Sequence, residues 1–295
     1  MANTIVLAQK FLPFIDLAYK KGALTSRLDS QGIQFTGANT VKVFKAQVPG
    51  FGDYSRANGF PTANYNSDWE SLAMQYDRGV SIGIDRLDNE VVLGEIMGTV
   101  VNQFMTEQEI PEIDAVRFAK MASWSGVSTA NADITVGTTD VPAAIELAEQ
   151  TMGDNEVPED GRILYVSNKC YSAIKAKITR ILANENGVQT QIETYDGMPV
   201  VRVPQGRFNT AVTLNDGTAN FGFAPTAGGY KINFMIVHPS AVVSVVKHDL
   251  FRIFDPSTTQ QYDGWKIDWR LYHGLWVLDN KKAGIYVHRA STANS

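Results

Sequence analysis

Two strand-like runs, Val41-Lys42-Val43-Phe44-Lys45-Ala46 and Val80-Ser81-Ile82-Gly83-Ile84-Asp85, are separated by a long insert rich in turn residues and aromatics. The insert has no strong apolar periodicity from which a core of its own would follow. A compact domain rarely keeps such a segment unless it is a functional loop or an arm for a partner. The two runs predict a two-stranded ribbon, and a ribbon of that size is marginal alone in water. It therefore needs a surface to rest on, and a second copy of the chain is the expected one.

The rest of the 295 residues has globular composition. Hydrophobic residues make up 44%, charged residues 19%, and the mean hydropathy is −0.14, so a real core is expected, in one large domain or two ordinary ones. No apolar run reaches the roughly 18 residues of a membrane span. The N-terminus has no basic lead, and its apolar run is soon interrupted by Gln9 and Lys10, so no secretory signal is expected. The sole cysteine, Cys170, cannot form an internal disulfide, which fits a reducing cytoplasm; it reads as a small buried hydrophobe near a helix start.

The net charge of −5 is uneven, −7 over residues 1–150 and +2 over the remainder. Between Asp85 and Asp114 stand Asp85, Asp88, Glu90, Glu95, Glu107, Glu109, Glu112 and Asp114 against Arg86 alone. Such a segment repels phosphate backbones, so direct nucleic-acid binding is not expected there, and the acids read as a solvated face.

Periodicity places the elements. Thr4 caps a helix carrying Ile5, Leu7, Ala8, Phe11 and Leu12; Pro13 interrupts it, Phe14 to Tyr19 continue it, and Gly22 stops it. Leu93, Ile96, Met97, Val100, Val101, Phe104 and Met105 predict the clearest helix. Pro111 either opens a second helical segment or bends one long helix. An alternating α/β region follows, with a helix over Ala143–Met152 opened by Asp140 and Pro142, a strand over Arg162–Val166, a helix capped by Ser167, and strands over Gly197–Val203 and Lys231–Val237. The last part predicts strands over Val242–Val246, Trp265–Leu278 and Gly284–Arg289, with Asp279–Lys282 as a turn.

Catalytic and cofactor signatures are missing. There is no phosphate-binding loop, no dinucleotide fingerprint (Gly50-Phe51-Gly52 lacks the third glycine) and no nucleophile elbow. The four histidines, His238, His248, His273 and His288, lack metalloprotease spacing and read as structural or surface residues. An unrecognised enzyme would have to assemble a site from distant residues such as Asp196, His238 and Tyr272.

An ordered set of short strings carries a family likeness. It begins with Asp53-Tyr54-x-Arg56-x-x-Gly59-Phe60, Trp69-Glu70 and Asp77-Arg78-Gly79, then Ile84-Asp85-x-x-Asp88-x-Glu90 and Pro111-Glu112-Ile113-Asp114-Ala115. It continues with Tyr195-Asp196-Gly197-Met198-Pro199-Val200, Val203-Pro204 and His238-Pro239-Ser240-Ala241-Val242. Arg270-Leu271-Tyr272-His273-Gly274, Asp279-Asn280-Lys281 and Gly284-Ile285-Tyr286 close it. The chain resembles the major capsid proteins of tailed bacteriophages with the Hong Kong 97 type fold, in the version common among phages of Gram-positive hosts.

That resemblance implies an α+β fold in four parts: an N-terminal arm and entry to the peripheral domain over 1–37, an extended loop over 38–82, a peripheral domain over 83–124 and 238–295 built on a long spine helix, and an inserted axial α/β domain over 125–237. It implies a shell protein rather than an enzyme, with no cofactor, forming pentamers and hexamers of an icosahedral head around double-stranded DNA, in a virion assembled in the bacterial cytoplasm. Separate scaffolding and portal proteins are the expected partners, and no membrane is. Loop and arm are expected to gain order on docking to a neighbour. The expected intersubunit residues are Lys42, Lys45, Asp53, Tyr54, Arg56, Phe60, Asp77 and Arg78 on the loop and Phe11, Phe14 and Tyr19 on the arm. Tyr54 and Phe60 would fill apolar pockets, and Arg56 and Arg78 would pair with carboxylates. The acidic Asp88–Asp114 helix is the expected lining of the inner wall. Some relatives join a loop lysine to an asparagine on a neighbour; Lys42, Lys45 and Asn280 stand in the corresponding regions, but no cross-link is expected. An encapsulin-like nanocompartment shell is the alternative.

Overall fold

The computed structural model describes residues 23–30, 40–57, 59–85, 101–177, 192–258 and 263–294. The helix expected after Thr4, with Phe11, Phe14 and Tyr19, lies outside the described residues, as do Leu93 to Val100 and Ile178 to Leu182. In chain order the elements are β1 (Thr40–Gln47), β2 (Asn66–Ala73), β3 (Tyr76–Asp85), α1 (Ile110–Ala122), β4 (Ser128–Asn131), α2 (Val141–Asp154), β5 (Ile163–Ser167) and α3 (Asn168–Lys177). Then come β6 (Thr194–Tyr195), β7 (Met198–Val203), β8 (Val212–Leu214), β9 (Phe223–Pro225), β10 (Tyr230–Val237), β11 (Val242–Phe254), β12 (Gly264–Val277) and β13 (Ile285–Ala293). The expected α+β architecture is observed.

The largest sheet has the order β4-β13-β10-β5-β7-β6. Its central strands are apolar on both faces because both faces are covered. Leu164, Val166, Phe234 and Ile236 meet α2 and α3, whereas Ile163, Tyr165, Met235 and Val237 meet Phe118 and Met121 of α1. Phe118 is fully buried, with Tyr165 and Phe208 edge-on at 5.1 and 5.0 Å. Truncating it to alanine is expected to cost about 3–5 kcal/mol. The capping expectations hold: Asp140 accepts from the Ala143 amide at 3.4 Å, and Ser167 from the Cys170 amide at 3.2 Å.

The second sheet has the order β11-β12-β3, and here the sequence expectation needs correcting. The runs around Val41 and Val80 do not pair with each other. β1 pairs antiparallel with β2, Val41 opposite Leu72 and Phe44 opposite Trp69, while β3 pairs with β12 from Tyr76 to Asp85. β2 escapes detection because Asn66, Ser67, Asp68, Glu70 and Ser71 are polar; it becomes a strand through its partner rather than its own pattern. β11 also runs past the expected end at Val246, through a register shift between Val246 and His248.

Pro111 stands in the first turn of α1, as one alternative has it, yet helical backbone runs unbroken from residue 101 to Ala122, so the two segments are continuous. Met105–Glu109, immediately before it, form a π-helical turn. A proline ring clashes with the carbonyl four residues earlier, and widening that turn relieves the clash.

Candidate assembly surface

The β1–β2 hairpin has two unlike faces, because successive side chains on a strand alternate. On one face Val41 and Leu72, with Met74 beyond β2, pack against Val243, Val245 and Trp276 of the β11–β12 pair. Trp276 Nε1 donates to the Ala73 carbonyl at 3.2 Å and the Tyr272 hydroxyl to that of Met74 at 3.4 Å, fixing the hairpin's exit. The hairpin base is thus seated on its own subunit, which corrects the expectation that this ribbon has only a neighbour to rest on. The opposite face carries Lys42 and Phe44, the latter edge-to-face with Trp69 at 5.2 Å, and it faces solvent.

Beyond the hairpin, the chain turns back through a small bridge. Ser55 and Gly59 exchange backbone bonds at 3.1 and 2.7 Å, and Gly59 takes φ 78°, a conformation that favours glycine. This bridge holds Tyr54 and Phe60 side by side at 5.0 Å, both exposed, Phe60 at 86%. Of the large apolar side chains exposed among the described residues, Phe44, Val48, Phe51, Tyr54, Phe60, Tyr65 and Trp69 all lie on this one projection. Scattered exposed apolar residues are ordinary; this concentration on one projection, with Phe44–Trp69 and Tyr54–Phe60 paired, is the feature that marks a covered surface. Arg56 and Asp53 lie exposed beside it and make no ion pair with each other. Among the tip residues expected for contact, Tyr54 and Phe60 are brought together, and Asp53 and Arg56 lie exposed next to them in the chain. Phe44, Phe51, Tyr65 and Trp69 were not expected there, although Trp69 already stood in the recurring strings.

The other expected loop residues engage their own chain. Lys45 points to the inner side and its Nζ lies 3.3 Å from Asp279 Oδ2; Lys282 lies 3.2 Å from the other oxygen. These two ammonium groups, with Lys282 the stronger influence, hold the Asp279 carboxyl below the usual range. Asp77 and Arg78 belong to β3, inside the second sheet. Arg270 donates to both Asp77 oxygens at 2.9 and 2.6 Å, and Arg78 pairs with Glu112 of α1 at 2.6 Å. Glu112 stands in one of the strings that carry the family likeness, but nothing local in the sequence pairs it with Arg78.

The acidic stretch is likewise not a uniform solvated face in its described part. Asp114 is fully buried and accepts from the Leu24 and Thr25 amides, the Thr25 hydroxyl at 2.7 Å and Arg207 at 3.3 Å. Glu109 is also buried, and Glu112 is held by Arg78, so at least these three acids are spent inside the fold.

The residues of the enzymatic alternative are engaged locally. His238 Nδ1 meets the Ser240 hydroxyl at 2.8 Å and its Nε2 the Asp160 carbonyl oxygen at 3.1 Å; Asp196 sits in a left-handed turn at φ 44°. His273 and His288 are buried, and burial pushes Cys170 up to about 12. Among the described residues, no group of three or more His, Cys, Asp or Glu side chains is placed to hold a metal, and no helix is long and apolar enough to cross a membrane.

No protein-family model matches the chain, and no curated protein matches it by sequence. Solved structures do match in shape. A chain from Mycobacterium phage Che8 superposes with a TM-score of 0.61 at 14% identity, covering 85% of each chain. A chain from the asymmetric unit of the bacteriophage PhiM1 mature capsid gives 0.57 at 12% identity, covering 86% of this chain and 83% of that one. The chain has a phage capsid fold. A virus-like particle from Pyrococcus furiosus shares it, with a TM-score of 0.56, 8% identity, and coverage of 93% and 95%. On this capsid fold the aromatic row projects from the hairpin, away from the packed sheets and helices.

Proposed function

We propose that the chain is the major capsid protein of a tailed phage, self-assembling through pentamers and hexamers into an icosahedral head around double-stranded DNA. The observation that carries this reading is the aromatic row from Phe44 to Trp69, exposed on a projecting hairpin of a chain with a capsid fold. In this reading the extended loop over 38–82 lies on a neighbour, with Tyr54 and Phe60 seated in apolar pockets and Arg56 paired with a carboxylate. The rings supply area and the guanidinium supplies direction, the usual division at the centre of an interface. Lys42 lines the same outward face, with Asp53 at the tip.

Interfaces of this obligate kind bury on the order of 2,000 Å² or more, which one loop does not supply alone. The N-terminal arm, through Phe11, Phe14 and Tyr19, contributes the remainder, and residues 125–237 form the axial part around each ring. Residues 83–124 and 238–295 form the peripheral part on which a neighbour's loop lies. The protein acts by assembly rather than by catalysis and resides in the virion, after assembly in the host cytoplasm. Scaffolding and portal proteins are its further partners. The capsid neighbours favour this reading over a nanocompartment shell.

Expression of the chain alone, followed by negative-stain microscopy and sedimentation, tests it. Closed shells or five- and six-membered rings support assembly as the function. A stable monomer, persisting when the neighbouring genes are co-expressed, would sink the proposal.

A further inference from the structure

One guanidinium ties three distant parts of the chain together. Arg78 on β3 donates Nε and Nη2 to the two Glu112 oxygens on α1 at 2.6 and 3.3 Å. Its Nη1 donates to the Asn215 carbonyl at 2.7 Å, and Nη2 also reaches the Gly222 carbonyl at 3.4 Å. Asn215 and Gly222 close the tip that joins β8 to β9, bonded to each other through the Asn215 amide at 2.9 Å. That hairpin hangs beside the first strand residues of β10, through Thr210 to Tyr230 at 2.8 Å, and so moves with the six-stranded sheet. Arg78 moves with the three-stranded one.

The tip is only partly packed. Beneath it lies a cavity of about 490 Å³, walled by Val80, Ile82, Phe104, Trp269 and Leu271, with Phe221 at its mouth and 71% exposed. That space is partly open to solvent, so on this side the tip is held by its polar contacts rather than by packing. Arginine suits this position because its planar fork serves a carboxylate and two carbonyls at once, which a lysine point charge cannot.

We propose that Arg78 is a strut that sets the angle between the two sheets, and with it the curvature at which copies of the chain join. This rests on the shell reading above. Head-to-tail contacts close into a ring only when the rotation between copies is fixed, and a change of shape within each copy accumulates around the ring.

The full chain carrying Arg78→Lys tests this, with Arg78→Ala alongside. Two quantities are read: hydrogen exchange of amides 215–222 in dispersed subunits, and the spread of shell diameters by electron microscopy. Arg78→Lys is expected to remain folded, to raise exchange at the tip about tenfold, and to broaden the diameters. Unchanged exchange overturns the strut. So do shells of wild-type diameter built from subunits whose tip exchange has risen. If Arg78→Ala does not fold, Arg78→Lys alone decides. If the wild-type chain forms no shell under any condition, the shell reading fails instead, and the exchange measurement still decides whether Arg78 holds the tip.

Discussion

Arg117 Nη2 and Asp29 Oδ1 meet at 2.6 Å with the arginine side chain 1% exposed, clasping residues 23–30 across α1. The approach is an ion contact without hydrogen-bond alignment; the aligned bonds run from Nη1 to the Thr25 hydroxyl and carbonyl at 3.0 and 3.4 Å. Asp29 also accepts from the Ser244 hydroxyl at 3.0 Å, which joins the clasp to β11. Removing one partner of a buried pair strands the other, at a cost of about 3–5 kcal/mol. Here Arg117 is buried but the Asp29 side chain is 38% exposed, so Asp29→Ala is expected to lower the unfolding free energy by about 1–3 kcal/mol, read as a lower denaturant midpoint at unchanged m. A loss under about 1 kcal/mol would mean that Asp114 alone neutralises Arg117.

Acid should destabilise the subunit through His273. It is buried against Tyr76 at 5.3 Å, and burial first, then the charges of Arg117 and Arg78, push its pKa from 6.5 down to about 3. Below pH 6.5 the unfolded chain binds a proton that the folded chain refuses. Stability is thus full above pH 6.5 and falls toward pH 3, by about 1.4 kcal/mol per pH unit. His273→Phe should flatten this part of the profile in denaturant titrations at several pH values. An unchanged slope would assign the acid loss to other groups.

Tip substitutions should separate folding from association. Tyr54→Ala, Phe60→Ala and Arg56→Ala remove exposed side chains, so subunit stability is expected to change by no more than about 0.5 kcal/mol. Shell yield, read by sedimentation, is expected to collapse in the two aromatic variants and to fall in Arg56→Ala. Wild-type particles from all three would remove the tip from the interface.

The Cys170 thiol should be inert. With its pKa pushed from 9.0 up to about 12 by burial, the thiolate at neutral pH is depleted about a thousandfold. A thiol reagent is expected to label the chain only after denaturation. Rapid labelling of the folded chain would show that α3 opens readily.

Much of the six-stranded sheet is legible in the sequence because its central strands are buried on both faces and read as apolar runs, as in Ile163–Val166 and Ile232–Val237. The helix caps at Asp140 and Ser167 are legible for a different reason: capping is local chemistry. What escaped is what depends on distant partners. β2 is polar in sequence and becomes a strand by pairing with β1. Asp114 looks like one more surface acid until Thr25, 89 residues away, is placed against it. Arg78 is expected to contact a neighbour, yet the partners seen are in its own chain, a carboxylate 34 residues on and carbonyls further still. At the hairpin tip, Tyr54, Arg56 and Phe60 stand out in sequence through the strings that carry the family likeness, and the structure leaves them exposed. Phe44 and Trp69 were missed as a pair because their contact exists only in the β1–β2 register.

The seating of the hairpin on Trp276 and its neighbours bears on how copies of the chain would find one another. A free strand of this length would lose about 1–2 kcal/mol of backbone entropy per residue at the moment of contact. Here β1 and β2 are already paired and anchored at the base before any encounter. On the shell reading above, the base of the projection would meet a partner already ordered, so each new contact would start with part of its disorder removed. Individual contacts could then stay weak in such a shell, and a wrongly placed copy could leave before its neighbours lock it in.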